Sequence, residues 1–230
     1  MAFLDVFVTP LRRYLSGDLA VAAQPVAVAG GALHHDLLPI SRRSIPPQHL
    51  GDFIAALRRR LPGTLEANLP WSEQGEPAFA AQLPAEAWHA LRAFAVDEYY
   101  PVPGFTFGAE SHRHPGLERV LAGGRSGFRH LIRQHPQQGF YLPADFSAPF
   151  ELSDSQGQGT PPLVGSSVSL LRELNHLRRA LGLSQDMGQP GWEEQIDPED
   201  PLERVKTGWV FMRYCARLSV RQKLPIVFEG

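Results

Sequence analysis

The chain has 230 residues, of which 43% are hydrophobic and 20% charged, a composition typical of ordered globular proteins. The formal net charge of −2 excludes a global field strong enough to draw the protein onto DNA or an anionic membrane. Any nucleic-acid role would therefore depend on a local patch of charge. The length allows one large domain or two small ones.

Cysteine content, basic residues and hydropathy indicate the cellular setting. Cys215 is the one cysteine, so an internal disulfide and a thiolate metal cluster are excluded. Twenty arginines against two lysines, with abundant Ala, Pro and Gly, indicate a GC-rich and therefore bacterial coding sequence. Residues 1–10 lack the positive charge of a secretory signal, and the apolar stretch 19–33 is too short to span a bilayer. We expect a cytoplasmic protein without a membrane partner.

In chain order, the predicted elements begin with a strand over residues 3–8, which is rich in aromatic and β-branched residues. One or two further strands are predicted over residues 19–29, where Pro25 requires an edge or a break. Apolar residues at helical spacing predict a helix over residues 50–61. The other elements of the middle third are helices over 84–98, 115–122 and 126–134 and a strand over 139–142.

The C-terminal third carries the clearest helical patterns. A leucine stripe over residues 170–181 predicts a helix that begins at a serine N-cap, Ser166 or Ser167. The segment 200–203 (DPLE) combines an N-cap acid, a first-turn proline and a capping-box glutamate. It predicts a long helix from Asp200 to about Gln222. An apolar strand over residues 225–228 ends the pattern.

These elements predict a helix-rich α+β fold. We expect one domain over residues 1–230, with a small mixed or antiparallel sheet formed by the N- and C-terminal strands. Residues 151–163 and 182–198 are polar or rich in glycine and proline, and we predict long surface loops there. The chain after the first of these loops offers two helices and one strand, too little core for a second domain.

The segment Glu110-Ser111-His112-Arg113-His114 suggests a metal site. In extended backbone, residues two apart point the same way, so Glu110, His112 and His114 could present two imidazoles and a carboxylate to one ion. Such a set suits Zn²⁺ or Fe²⁺, which would lower the pKa of a bound water. The alternative is a polar loop leading into the helix that begins at Pro115, and on that alternative the protein has no cofactor.

A second candidate site is the segment Gly123-Gly124-Arg125-Ser126 with Arg129, which precedes and begins a predicted helix. Flexible backbone, a guanidinium group, a hydroxyl and helical N–H groups together could bind an anion. The alternative is a glycine stop and a serine cap between two short helices.

Charge is segregated along the chain. Residues 112–135 contain five arginines and four histidines against one acid, whereas residues 193–203 contain six acids and no basic residue. Trp192, Glu193 and Glu194 combine an aromatic side chain with acids, which favours a partner-binding surface. The two regions could also neutralise each other in a homodimer, or be two solvated faces.

No catalytic residue follows from these patterns, and whether the protein is an enzyme stays open. We expect a non-catalytic bacterial protein that binds another protein, such as an immunity-type or regulatory protein. The first alternative is a metal-dependent, hydrolase-like enzyme that uses Glu110, His112 and His114. The second alternative is an anion or nucleic-acid binder that uses the arginines from Arg113 to Arg133.

Overall fold

The structure is a computed structural model that describes residues 2–16, 47–61, 71–134, 139–152, 162–185, 187 and 196–229. The strands predicted over residues 19–29 lie outside these ranges. Within them, a 3-10 helix, Ala109–Arg113, accompanies seven α-helices and six strands. The α-helices are α1 Leu11–Ser16, α2 Pro47–Arg60, α3 Ala85–Asp97, α4 Pro115–Leu121, α5 Arg129–Arg133, α6 Ser167–Ala180 and α7 Glu203–Gln222. The strands are β1 Phe3–Val8, β2 Phe79–Pro84, β3 Gly139–Leu142, β4 Phe150–Glu151, β5 Leu163–Ser166 and β6 Ile226–Glu229.

The six described strands form one mixed sheet in the order β2-β1-β6-β3-β5-β4. β1 pairs antiparallel with β6, so the N- and C-terminal strands are neighbours as predicted. β3 pairs parallel with β5, and the other pairings are antiparallel. The predicted helix-rich α+β fold is therefore confirmed.

Apolar residues cover both faces of the sheet, because side chains alternate along each strand. Val6 and Val8 of β1 face a large core formed with α3, α6 and α7, while Phe7 faces a smaller core formed with α1 and α2. The largest fully buried side chains include Trp88 and Trp209. The sheet thus separates two helical layers, and α3, α6 and α7 form one side.

The starts of α6 and α7 differ in how well the sequence predicted them. Ser166 caps α6 as expected, since its hydroxyl accepts a hydrogen bond from the Ser169 amide at 3.0 Å. The prediction for α7 is wrong by two residues: the N-cap is Leu202 and not Asp200, and the helix begins at Glu203. Asp200 Oδ1 instead accepts from the Leu202 amide at 2.7 Å, which closes a tight turn before the helix.

Cys215 lies on α7 in the large core and is fully buried. Burial raises the pKa of its thiol well above the ordinary value, so this side chain packs as a small hydrophobic group. Across the part of the chain that the structure describes, no helix combines the length and hydropathy needed to cross a membrane.

We propose that the chain is a single domain, because β5 pairs with β3 across the predicted loop 151–163. A specific protease site inserted within residues 153–161 should give two fragments that stay associated, since the pairing of β3 with β5 and β6 and the contact between α3 and α7 join them. Size-exclusion chromatography before and after cleavage measures this, with a scrambled, uncleavable insert as the control. Separation into two pieces that each unfold cooperatively would contradict a single domain.

Candidate functional site

The residues predicted as metal ligands lie in the 3-10 helix Ala109–Arg113 or directly after it. Each of them has another partner. The Glu110 carboxylate pairs with Arg113 at 2.7 Å, both side chains being largely exposed. His112 Nδ1 lies 3.1 Å from the Ala109 carbonyl oxygen. His114 points the other way, into the protein, and is 1% exposed. The structure therefore does not bring Glu110, His112 and His114 together as a ligand set.

His114 serves as the N-terminal cap of α4. Its Nδ1 accepts a hydrogen bond from the Gly116 amide at 3.1 Å, so the other ring nitrogen carries the hydrogen. That nitrogen, Nε2, lies 3.0 Å from Asp97 Oδ1 at the end of α3. Both ring nitrogens are occupied, which leaves none for an ion. No group of three His, Cys, Asp or Glu residues within the described ranges is arranged to hold a metal.

The helix N–H groups that the predicted anion site would use already bind a group of the protein itself. Glu173 of α6 accepts hydrogen bonds from the His130 and Leu131 amides at 2.9 and 2.8 Å, and both amides belong to the first turn of α5, where N–H groups lack partners within the helix. Ser126 Oγ accepts from the Phe128 amide at 3.0 Å and is nearly buried. The start of α5 therefore already binds a carboxylate.

The glycines of the same segment have a structural role. Gly123 has a φ of 98°, which side-chain-bearing residues rarely adopt. A Cβ at Gly124 would lie 2.6 Å from the Arg119 carbonyl oxygen and 2.9 Å from the Tyr100 hydroxyl. Both glycines thus allow the close turn between α4 and α5. Arg125, within this turn, and Arg129, the first residue of α5, are both exposed.

The arginines of residues 112–134 lie on the 3-10 helix, on α4 and α5, and in the turn between α4 and α5. Arg113, Arg125, Arg129 and Arg133 are exposed, and Arg119 lies 5.6 Å from the ring centre of Tyr100 in a cation–π contact. Tyr99 and Leu121, at 45% and 49% exposure, are two of the three exposed large hydrophobic residues that the described ranges contain. Around Arg119 this basic surface adjoins the C-terminal end of α3, whereas Arg113 lies on the 3-10 helix, whose His112 ring is 5.8 Å from the ring of His89 in the first half of α3.

The acidic residues lie at the start of α7. Trp192, Glu193 and Glu194, the predicted partner-binding residues, fall outside the described residues. The described acids of the segment are Asp197 and Glu199, which are exposed, and Asp200 and Glu203, which are half-buried. We call these four residues the acidic turn.

The acidic turn has a fixed backbone. Asp197 Oδ1 accepts from the Glu199 amide at 2.9 Å, and the carbonyl of Asp200 accepts from the Glu203 amide at 2.8 Å. Ile196 and Leu202, on either side, pack against the large core. These contacts fix the backbone that carries the exposed carboxylates.

Two ion pairs neutralise part of the charge around the acidic turn. Lys206 donates to Asp200 Oδ2, and Arg204 Nε lies 3.0 Å from Glu86 Oε2 at the start of α3. Lys206 also holds the pKa of the Asp200 carboxyl below its ordinary value. No ion pair joins Asp197 or Glu199 to another described residue. Within the acidic turn, theirs are the carboxylates that are both exposed and outside any ion pair with a described residue.

Sequence reasoning missed Glu86 and Glu173. Nothing local connects Glu86 with the acidic turn, since more than one hundred residues separate them. Glu173 did carry a signal: it stands three residues after Leu170 and four before Leu177, on the apolar face of α6. A carboxylate on a buried face requires hydrogen-bond donors nearby.

Fold and surface together define the class: a helix-rich α+β protein whose opposite charges lie in separate regions. A family model described as "Putative DNA-mimic protein" matches residues 51–228, which is more than three quarters of the chain. The chain belongs to this family. Comparison of the chain with curated proteins and with solved structures found no match.

Family membership overturns the leading functional prediction. The expectation of an immunity-type or regulatory protein-binding protein is wrong, because the family's description indicates competition with nucleic acid. Charge segregation and an aromatic residue among acids are also what a general protein-binding surface would show. A row of carboxylates can equally reproduce the negative charge of a phosphate backbone, and composition alone cannot separate these two meanings.

Proposed function

We propose that this protein is a DNA mimic that occupies the nucleic-acid site of a DNA-binding protein and competes with DNA for it. Membership of the family over residues 51–228 is the observation that carries the proposal. This range contains α3, α7 and the acidic turn. The proposal implies a bacterial cytoplasmic protein, since DNA and the proteins that bind it are found there.

The acidic turn is the surface that we assign to mimicry. DNA-binding proteins make half or more of their hydrogen bonds to phosphates and sugars, largely through arginine and lysine. Asp197 and Glu199 offer carboxylates to such side chains from a backbone held by hydrogen bonds and by the large core. A rigid arrangement favours binding, because less conformational entropy is lost when the partner docks.

Because the net charge is only −2, mimicry of DNA must depend on a local group of carboxylates and not on the charge of the whole protein. At physiological ionic strength, exposed charges are screened over about 8 Å, so a partner responds to the carboxylates that it touches. Basic residues farther than this from Asp197 and Glu199 therefore do not cancel their charge for a partner docked there. Arg204 and Lys206 do lie close enough to reduce the local charge, and each is paired with an acid.

The first experiment identifies a partner by competition. Proteins of the native host are retained on the immobilised protein and then eluted with duplex DNA, with uncharged polymer as the control eluent. The eluted partner is purified, and its binding to a fluorescent duplex is measured by anisotropy as this protein is added. Displacement of the duplex is the expected result. A ternary complex, or direct binding of the duplex by this protein, would contradict mimicry.

A charge-neutralising variant tests the assigned surface. D197N/E199Q should displace the duplex about tenfold less effectively, because two charge-assisted contacts become neutral ones. The matched control is D52N/E151Q, which neutralises two exposed carboxylates on α2 and β4, away from α7. Equal loss in both variants would mean that net charge, and not the acidic turn, drives competition. Retention by both would place the interface elsewhere.

A further inference from the structure

Glu173 is a buried carboxylate that bridges two helices. Its side chain belongs to α6, and its two oxygens accept from consecutive amides at the start of α5. The residue is 8% exposed, and no ion pair reaches it from any residue that the structure describes. A carboxylate so placed loses its hydration and gains only hydrogen bonds in return.

We infer that Glu173 is a proton-operated clasp between α6 and α5. The ionised carboxylate has two acceptor oxygens and holds both the His130 and the Leu131 amide. The carboxylic acid has one good acceptor, its carbonyl oxygen, and holds one of them. α5 presents Arg129 and Arg133 to solvent, so the clasp sets how firmly part of the basic surface is held. This regulation is independent of the proposed function.

Burial raises the pKa of Glu173 to about 7, although the backbone amides of His130, Leu131 and Arg129 oppose the shift. The clasp therefore changes state near neutral pH. Since the folded-state pKa lies above the ordinary 4.5, protonation favours the folded protein. That contribution is complete below pH 4.5 and is lost as the pH rises through about 7.

Other titratable groups surround the clasp. Tyr141 of β3 donates its hydroxyl to the His130 carbonyl at 2.9 Å, and Arg92 of α3 donates to the Ile132 carbonyl. Burial raises the pKa of Tyr141 well above its ordinary value and lowers that of Arg92 to about 10, so neither titrates near neutrality.

Two histidines complete the surroundings. His130 of α5 accepts from the Ser166 amide through Nδ1, and burial lowers its pKa to about 4. His176 and Arg172 lie on α6 itself and are exposed. His176 is thus the exposed ionisable neighbour on the helix that carries Glu173.

Nuclear magnetic resonance on the whole chain tests the clasp. The ¹³Cδ shift of Glu173 and the amide shifts of His130 and Leu131 are followed from about pH 5.5 to about 8.5, a range that spans the histidine but not the free glutamate pKa. A shared midpoint near 7 is expected. Hydrogen-exchange protection of one amide, corrected for the intrinsic rate, should fall about five- to tenfold on acidification.

Two variants complete the experiment. E173Q keeps one acceptor oxygen and cannot ionise, so its amide shifts should match the acidic form at every pH. H176Q should titrate as the wild type does. Stability should move the other way from local protection: the urea midpoint of the wild type relative to E173Q should fall as the pH rises. A constant ¹³Cδ shift in the wild type would overturn the inference, and so would amide titration that persists in E173Q. If E173Q fails to fold, the pH dependence of the Glu173 ¹³Cδ shift in the wild type decides whether the inference holds.

Discussion

Replacing Gly208 by alanine is expected to destabilise the protein by about 1–3 kcal/mol, although alanine is the better helix former. Gly208 lies within α7, where this helix crosses α3. A Cβ there would stand 2.4 Å from the Ala87 carbonyl oxygen and 3.2 Å from Leu91 Cβ. The first neighbour is backbone and cannot rotate away, so the two helices must separate. Urea unfolding at equilibrium measures the loss.

Gly51 provides the matched control for this substitution. It is also a helical glycine, within α2, but a Cβ there would meet nothing within 4 Å. Gly51→Ala should therefore stabilise the protein by up to about 1 kcal/mol through helix propensity. If both variants gained stability, the close approach of α3 and α7 at Gly208 would not exist as described.

Replacing Arg92 by methionine is expected to cost about 1–3 kcal/mol, because it leaves the Ile132 carbonyl at the end of α5 without its donor. The guanidinium is 7% exposed and donates to that oxygen from Nε at 3.0 Å and also from Nη2. It also lies 5.9 Å from the Trp88 ring centre. Methionine keeps much of the apolar stem, so the loss reports on the polar contacts.

Two further substitutions set an upper and a lower reference for the loss of stability in Arg92→Met. Arg92→Ala should cost more than Arg92→Met, since it adds a cavity in the large core. Arg113→Ala should change stability by less than about 0.5 kcal/mol, because its side chain is largely exposed and surface ion pairs contribute little. A methionine variant more stable than the wild type would show that desolvation of the buried guanidinium outweighs its hydrogen bonds.

The reliable sequence predictions concern features that neighbouring residues decide. Ser166 caps α6, and β1 spans the predicted residues 3–8. At Asp200 two local options compete, a helix cap and a turn, and the ion pair with Lys206 accompanies the turn. Such near-equal local choices are settled by tertiary contacts, so the predicted start of α7 was two residues early.

The candidate sites show the same division more sharply. Spacing allowed Glu110, His112 and His114 to converge, but the 3-10 helix separates their directions and buries His114 against Asp97. Glycines and a helix start allowed an anion site, yet Glu173 occupies it from 42 residues away in the chain. At each of these two sites the polar partner, Asp97 or Glu173, is distant in the sequence. The spacing of neighbouring residues cannot reveal such a partner.

By itself, the sequence determined the helix-rich α+β class, the pairing of its terminal strands in one sheet and the separation of basic from acidic residues. Alternation and helical periodicity encode these features, because each element must bury one face. Only the tertiary structure decided which charges remain available. Folding pairs Asp200 with Lys206 and Glu86 with Arg204, buries Glu173 beneath α5, and leaves Asp197 and Glu199 exposed at the acidic turn. The physical reason is that burial and ion pairing depend on distances in space, which the order of residues does not state.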